Sequence, residues 1–347
     1  MRSLAPFLAD RGWEVTVYCR SGSVRGDDPS RHPLVKVVQT RGVETKSLST
    51  LSYGLSSTLD AASKHPDVAL VMNVANGFWL PLLRRRGIPT LVNVDGVEWE
   101  RDKWGVLAKT LFRWGAKWTA RYGTRLVFDS KEIARRWHEE FNRDGDFIPY
   151  GGTSIDEPLP VHEGLRHRSY VLLVARFVPE NTIAEFFEAV PLLAEHIDVV
   201  IVGSSGYEGV LDVQARRLAQ TYARVHWLGH VSDDRKLFSL WQHAAVYFHG
   251  HSVGGTNPAL VQAMSLGVPV IARESPYNRE VLPSSTTFVA PMPRAIAAAI
   301  LNLAADGMAL ESASRANLAR AKSDYTWGSV NESYRSALTT LAAQHST

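Results

Sequence analysis

Short apolar runs alternate with longer amphipathic stretches along nearly the whole chain, and no other feature constrains the fold as tightly. Strands joined through helical crossovers pair in parallel, and a parallel sheet needs helices on both faces. In the first half, strands are predicted at 14–19, 35–39, 68–73, 90–95, 126–129 and 146–149. Helices are predicted between them at 4–11, 55–65, 80–86, 104–122 and 131–141. A loop at 151–168, rich in Gly, Ser, Glu and Pro, breaks the rhythm. The pattern then restarts, with strands at 170–175, 198–202, 225–228, 244–248 and 269–272. The helices of this half are predicted at 183–196, 208–222, 235–243 and 259–266. A chain of 347 residues accommodates two such domains, and the expectation is α/β: two doubly wound domains, 1–155 and 156–325. A closing helix at 326–347 is expected to pack back toward the first. Ligand should bind in the cleft between the domains, outside the carboxyl ends of the strands.

The chain opens on a helix, whereas a doubly wound domain ordinarily opens on a strand and a glycine-bearing loop. The first domain is therefore expected to lack its opening strand, which would leave unpaired edges inside a sheet. The net charge of +3 makes no general case for nucleic acid. The lone cysteine, Cys19, excludes an internal disulfide and reads as a core residue. No apolar run is long enough to span a bilayer and the N-terminus does not read as a signal peptide, so the default expectation is cytoplasmic.

The most informative local stretch is HGHSVGGTNPALVQAM at 249–264, which follows the apolar strand Ala244–Phe248. Gly254 and Gly255 allow backbone amides to approach a ligand closely, and Asn257 with Pro258 predicts a helix opening at Ala259. Free amides feeding a helix N-terminus suit phosphate; a tight turn without ligand is the plainer alternative. Asp144-Gly-Asp146 reads as a turn rather than a cation site, and His249 with His251 lacks a third metal ligand in sequence. No metal and no cofactor are expected. No G-x-G-x-x-G follows a strand, which argues against a nicotinamide enzyme.

Six segments carry a family resemblance: DGVEWERDKW (95–104), FDSKEI (128–133), IPYGG (148–152), VARFVPENTI (174–183), HGHSVGGTNP (249–258) and NREVL (278–282). By these the chain resembles retaining glycosyltransferases of the GT-B fold, group 1 (family 4), with two Rossmann-like domains. Within that class it is most similar to bacterial polysaccharide rhamnosyltransferases. The resemblance implies transfer of a sugar, L-rhamnose from a dTDP donor, to a glycan or lipid-linked acceptor. The class commonly carries two glutamates where this chain has Gly254 and Gln262, and a lysine where it has Asn181.

The resemblance implies Arg176 and Asn181 at the donor diphosphate, with His251, Ser252, Gly254, Gly255, Thr256 and Asn257 forming the loop beneath it. Gln262 would face the ribose, His230 and Val231 the base, and Asn278, Arg279 and Glu280 the sugar. Asp95 and Glu98 would act on the acceptor side, where a carboxylate after a strand can orient a hydroxyl. Plainer roles stay open: a surface ion pair for Arg176, a helix cap for Asn181, a helix start for 276–280. Lys109, Arg113, Lys117 and Arg121 form a basic stripe beside Leu107, Leu111, Trp114 and Trp118. That suits a peripheral contact with an anionic membrane, or equally a core helix with a solvated face. Two other functions compete: a catalytically silent sugar-nucleotide binder, suggested by Gln262, and a nucleotide-sugar epimerase of similar shape.

Overall fold

The computed structural model describes residues 1–20, 32–43, 49–101, 104–155 and 157–345. The chain divides into two compact units. The first comprises Met1–Glu100, Trp104–Pro149 and Trp327–Thr347; the second comprises Arg101–Lys103 and Tyr150–Thr326. The break falls at Pro149/Tyr150 rather than near 155. The reason is local: Gly152 donates its amide to the Tyr325 carbonyl and bridges to Thr326, which ties the segment after 150 to the second unit.

The first unit holds α1 (Leu4–Ala9), β1 (Val15–Arg20), β2 (Val35–Thr40), α2 (Ser49–Lys64), β3 (Ala69–Met72) and α3 (Leu80–Arg85). It continues with β4 (Thr90–Asn93), α4 (Val106–Tyr122), β5 (Arg125–Phe128), α5 (Lys131–Phe141) and β6 (Asp146–Phe147). β1 pairs in parallel with β2, and β3-β4-β5-β6 form a separate parallel sheet. A cavity of about 430 Å³ is lined by all residues of β1 and of β3. Cys19 is half-buried and lines this cavity, so it is not a core residue in the full sense.

The second unit holds β7 (Tyr170–Val174), α6 (Ile183–Ala194), β8 (Asp198–Val202), α7 (Val210–Thr221), β9 (Val225–Trp227) and α8 (Asp234–His243). It continues with β10 (Val246–His249), α9 (Pro258–Ser265), β11 (Val270–Arg273), α10 (Pro276–Val281), β12 (Thr287–Val289), α11 (Pro293–Ala304) and α12 (Gly307–Asp324). Its six parallel strands lie in the order β12-β11-β10-β7-β8-β9. Both faces of the sheet are buried, as the near-continuous apolar strands require. Val171 and Leu173 of β7 pack on one side with Phe186, Phe187 and Ile300, while Tyr170 and Leu172 pack on the other with Leu240, Leu260 and Met264.

α13 (Trp327–His345) belongs to the first unit. Its Val330, Tyr334, Leu338 and Leu341 join Leu4, Leu8, Leu91 and Val127 in one core, and the Asn93 amide donates to the Tyr334 hydroxyl at 2.6 Å.

Candidate functional site

Strand order reverses between β7 and β10 in the second unit, so their carboxyl ends open onto a crevice that no crossover covers. The segments leaving β7, β10 and β11 are laced together there. Thr182 donates its hydroxyl to the Gly250 carbonyl at 2.5 Å, and Arg273 reaches Thr182 Oγ1 at 2.8 Å. Ser252 donates both its amide, at 3.0 Å, and its hydroxyl, at 2.9 Å, to the Glu180 carbonyl. Asn278 splits its amide between the carbonyls of His251 (2.9 Å) and Arg273 (2.7 Å). A side chain at Gly250 would meet the Asn181 carbonyl oxygen at 2.3 Å, so only glycine permits this closeness.

On this rigid base sits the glycine loop. Gly254 adopts φ +114°, where a β-carbon is strained. Among the described residues the amides of Gly254 and Gly255 have no intramolecular acceptor. The helix after them begins at Pro258, one residue earlier than expected, because Asn257 Oδ1 caps the Ala259 amide at 2.9 Å and proline takes the first helical position. Arg176 lies just past the end of β7, exposed, with no ion pair among the described residues. Arg101, assigned to the second unit, comes within 3.4 Å of the place a Gly254 β-carbon would occupy.

Beside them the His251 ring stacks on that of His249 at 4.4 Å. Burial, then Arg176, then Arg101, push the His251 imidazole down to about 3, so it is neutral at physiological pH. Fully buried His249 is also held well below the ordinary histidine range, first by burial and then by His251, and its Nδ1 lies 3.0 Å from the Tyr247 hydroxyl. A histidine whose folded pKa is depressed binds fewer protons than the unfolded chain below its ordinary value near 6.5. Stability supplied by the pair is therefore complete above that value and is lost as pH falls below it. Replacing His251 with Gln should make the protein less sensitive to acid, seen as a lower pH of half-unfolding by circular dichroism. An unchanged midpoint would contradict this.

Other positions singled out in the sequence do different work. Asn181 neither caps α6 nor faces outward: it is buried and its side-chain amide donates to the Arg176 carbonyl at 2.8 Å, fixing the turn that carries the arginine. Gln262 is clasped by Thr153: its oxygen accepts from the Thr153 amide (2.9 Å) and its nitrogen donates to the Thr153 carbonyl (2.8 Å). Arg279 makes an exposed bidentate ion pair with Glu274. Asn278 and Glu280 lie on α10, which Ser275 caps, and Thr256 is buried in the loop. His230 is exposed and Val231 half-buried after β9.

In the first unit, Asp95 sits at φ +61° and accepts from Asn73 at 3.0 Å, while buried Glu98 accepts from the Trp104 indole at 2.9 Å. Asp144 pairs with His138, and Asp146 with Arg125. No group of three or more metal-ligating side chains occurs among the described residues. On α4, Leu111 and Trp118 are half-buried, whereas Leu107 is 86 % and Trp114 is 54 % exposed. Arg113 is neutralised by Glu140, which removes it from the basic stripe that Lys109, Lys117 and Arg121 continue.

The sequence did not single out Glu180. Its residue is only 6 % exposed, its Oε2 has no partner, and its carboxyl makes no hydrogen bond or ion pair among the described residues.

Comparisons with known proteins bear on the family and the fold. Residues 1–151 match the family model for the glycosyl transferase 4-like domain, and residues 168–306 that for glycosyl transferases group 1. No curated protein matches by sequence. Among solved structures, sucrose-phosphate synthase from Thermosynechococcus elongatus superposes with a TM-score of 0.80 at 17 % identity, covering 99 % of this chain and 92 % of that one. Anabaena HepE in complex with UDP-glucose superposes with a TM-score of 0.74 at 14 % identity, covering 98 % and 94 %. The apo structure of OtsA gives 0.72 at 13 % identity, covering 96 % and 94 %. With both halves matched in order and the strand reversal where a donor would bind, the chain belongs to the group 1 glycosyltransferases of the GT-B fold.

Proposed function

We propose that this glycosyltransferase moves L-rhamnose from dTDP-rhamnose, with retention, onto a glycan or lipid-linked acceptor in cell-surface polysaccharide synthesis. One observation carries the donor class: unpaired Arg176 and the acceptor-free amides of Gly254 and Gly255 lie in the segments that leave β7 and β10, the two strands flanking the reversal. A leaving diphosphate gathers negative charge as the glycosidic bond breaks, and a guanidinium fork with fixed backbone dipoles is suited to hold it. HepE was solved with UDP and with UDP-glucose, which supports a nucleotide sugar as the donor. The rhamnose and the dTDP rest on the family resemblance of HSVGGTNP. The acceptor hydroxyl would be oriented by Asp95 or Glu98, with its proton passing to the donor phosphate, so that no protein nucleophile is required.

A panel of nucleotide sugars tests this by thermal shift. A donor present at one hundred times its dissociation constant adds about 2.7 kcal/mol of stability, which is several degrees in Tm. dTDP-rhamnose should give the largest shift, and a larger shift with UDP-glucose would reassign the donor. A catalytically silent binder is the second reading, favoured because Thr153 engages both the oxygen and the nitrogen of the Gln262 amide. It predicts the same shift with no transferred sugar.

For the acceptor we propose a peripheral contact with the cytoplasmic face of the membrane. Exposed Val106, Leu107 and Trp114 lie on the same helix as Lys117 and Arg121, with Arg84 bonded to the Arg121 carbonyl. Replacing both Leu107 and Trp114 with Glu should cut cosedimentation with phosphatidylglycerol vesicles by about tenfold or more. Equal cosedimentation would remove the membrane from the account.

A further inference from the structure

We propose that Glu180 binds the donor sugar itself, accepting a hydrogen bond from a ring hydroxyl. The inference rests on the nucleotide-sugar reading above and adds to it the group that the glycine loop lacks. A loop with glycine at 254 and a committed amide at 262 offers no carboxyl of its own to hydroxyls.

Burying a carboxyl without a partner costs free energy that a folded chain recovers only if something else fills the site. Glu180 is such a group, with Oε2 sealed from solvent and unpartnered. Its place is fixed. It lies in the short turn Pro179–Asn181, whose backbone is clamped by Ser252 onto the Glu180 carbonyl and by Thr182 onto Gly250. Two further polar atoms in the adjoining segment are buried and orphaned: His251 Nδ1 and His249 Nε2. Three unsatisfied atoms in the segments that leave β7 and β10, which Ser252 ties together through the Glu180 carbonyl, have one common chemical answer. A carboxyl accepts and a neutral imidazole either accepts or donates, whereas each hydroxyl of a sugar can do both. Phosphate, which donates little, satisfies the Arg176 side and leaves a carboxyl unanswered.

A buried carboxyl with a purely structural role would be paired within the protein, and its loss would lower stability. A ligand-directed one does the opposite: removing it relieves an unpartnered buried oxygen and harms only binding. The variant Glu180→Gln preserves shape and separates the two. Binding is measured by calorimetry for UDP, dTDP and the nucleotide sugars of the panel, alongside Tm. The expected result is a loss of about tenfold in affinity for the nucleotide sugar that the wild type binds best. The matching free nucleoside diphosphate should bind within twofold of wild type, and Tm should be unchanged or higher. Unchanged nucleotide-sugar affinity overturns the proposal. So does a fall in Tm accompanied by equal losses for sugar nucleotide and free diphosphate. A wild-type protein that binds no nucleoside diphosphate would overturn the donor reading itself, which is a distinct outcome.

Discussion

Arg176→Ala should lower the turnover of sugar transfer by about 10²–10³-fold, the loss seen when one preorganised charge-stabilising group is removed. The arginine is exposed and makes no ion pair among the described residues, so its removal leaves no stranded partner and Tm should hold within a degree or so. Arg176→Lys should recover only part of the rate, because an ammonium supplies charge without the two-pronged geometry. The loss should appear in kcat as well as in KM, since charge on the diphosphate grows between ground and transition states. Full turnover in the alanine variant would mean that something else holds the leaving group.

The largest effect on stability should come from Gly203→Ala. Gly203 directly follows β8 at φ +135°, donates its amide to the Gly229 carbonyl at 2.7 Å and accepts from the Trp227 indole at 3.0 Å. A methyl group there would stand 1.8 Å from the Ala175 carbonyl oxygen, so backbone must move. Strain and displacement together should cost about 3 kcal/mol or more, lowering Tm by roughly 10 °C. Ala175 directly precedes Arg176, so activity should fall alongside stability even at temperatures where the variant is folded. A Tm within two degrees or so of wild type would show that the strand ends are softer than their packing implies.

What the sequence exposed and what it hid divide along physical lines. α5 was legible to the residue because its ends are marked locally: Ser130 caps the first turn and Asn142 closes the helix in the left-handed conformation. The alternation of strand and helix was enough for two parallel α/β units, since burial on both faces leaves an apolar run in each strand. β12 was missed: three residues on the sheet edge, with Thr287 exposed and Phe288 half-buried, give no periodic signal. The loop of Gly254 and Arg176 stood out in the sequence, because glycine and arginine have distinctive local chemistry, and the structure places them after β10 and β7.

Partnership was not readable. Gln262 and Thr153 are 109 residues apart, and nothing local announces that they clasp each other. The bidentate pairing of Arg279 with Glu274 was likewise not announced by the sequence. Glu180 was hidden for the converse reason, since only the folded surroundings reveal a carboxyl with no partner.

The most direct test of the central claim is a crystal structure of the protein with UDP or dTDP bound. The diphosphate should lie within hydrogen-bond distance of the Arg176 guanidinium and of the Gly254 and Gly255 amides, at the N-terminus of α9. A diphosphate bound elsewhere, with Arg176 still facing solvent, would contradict it.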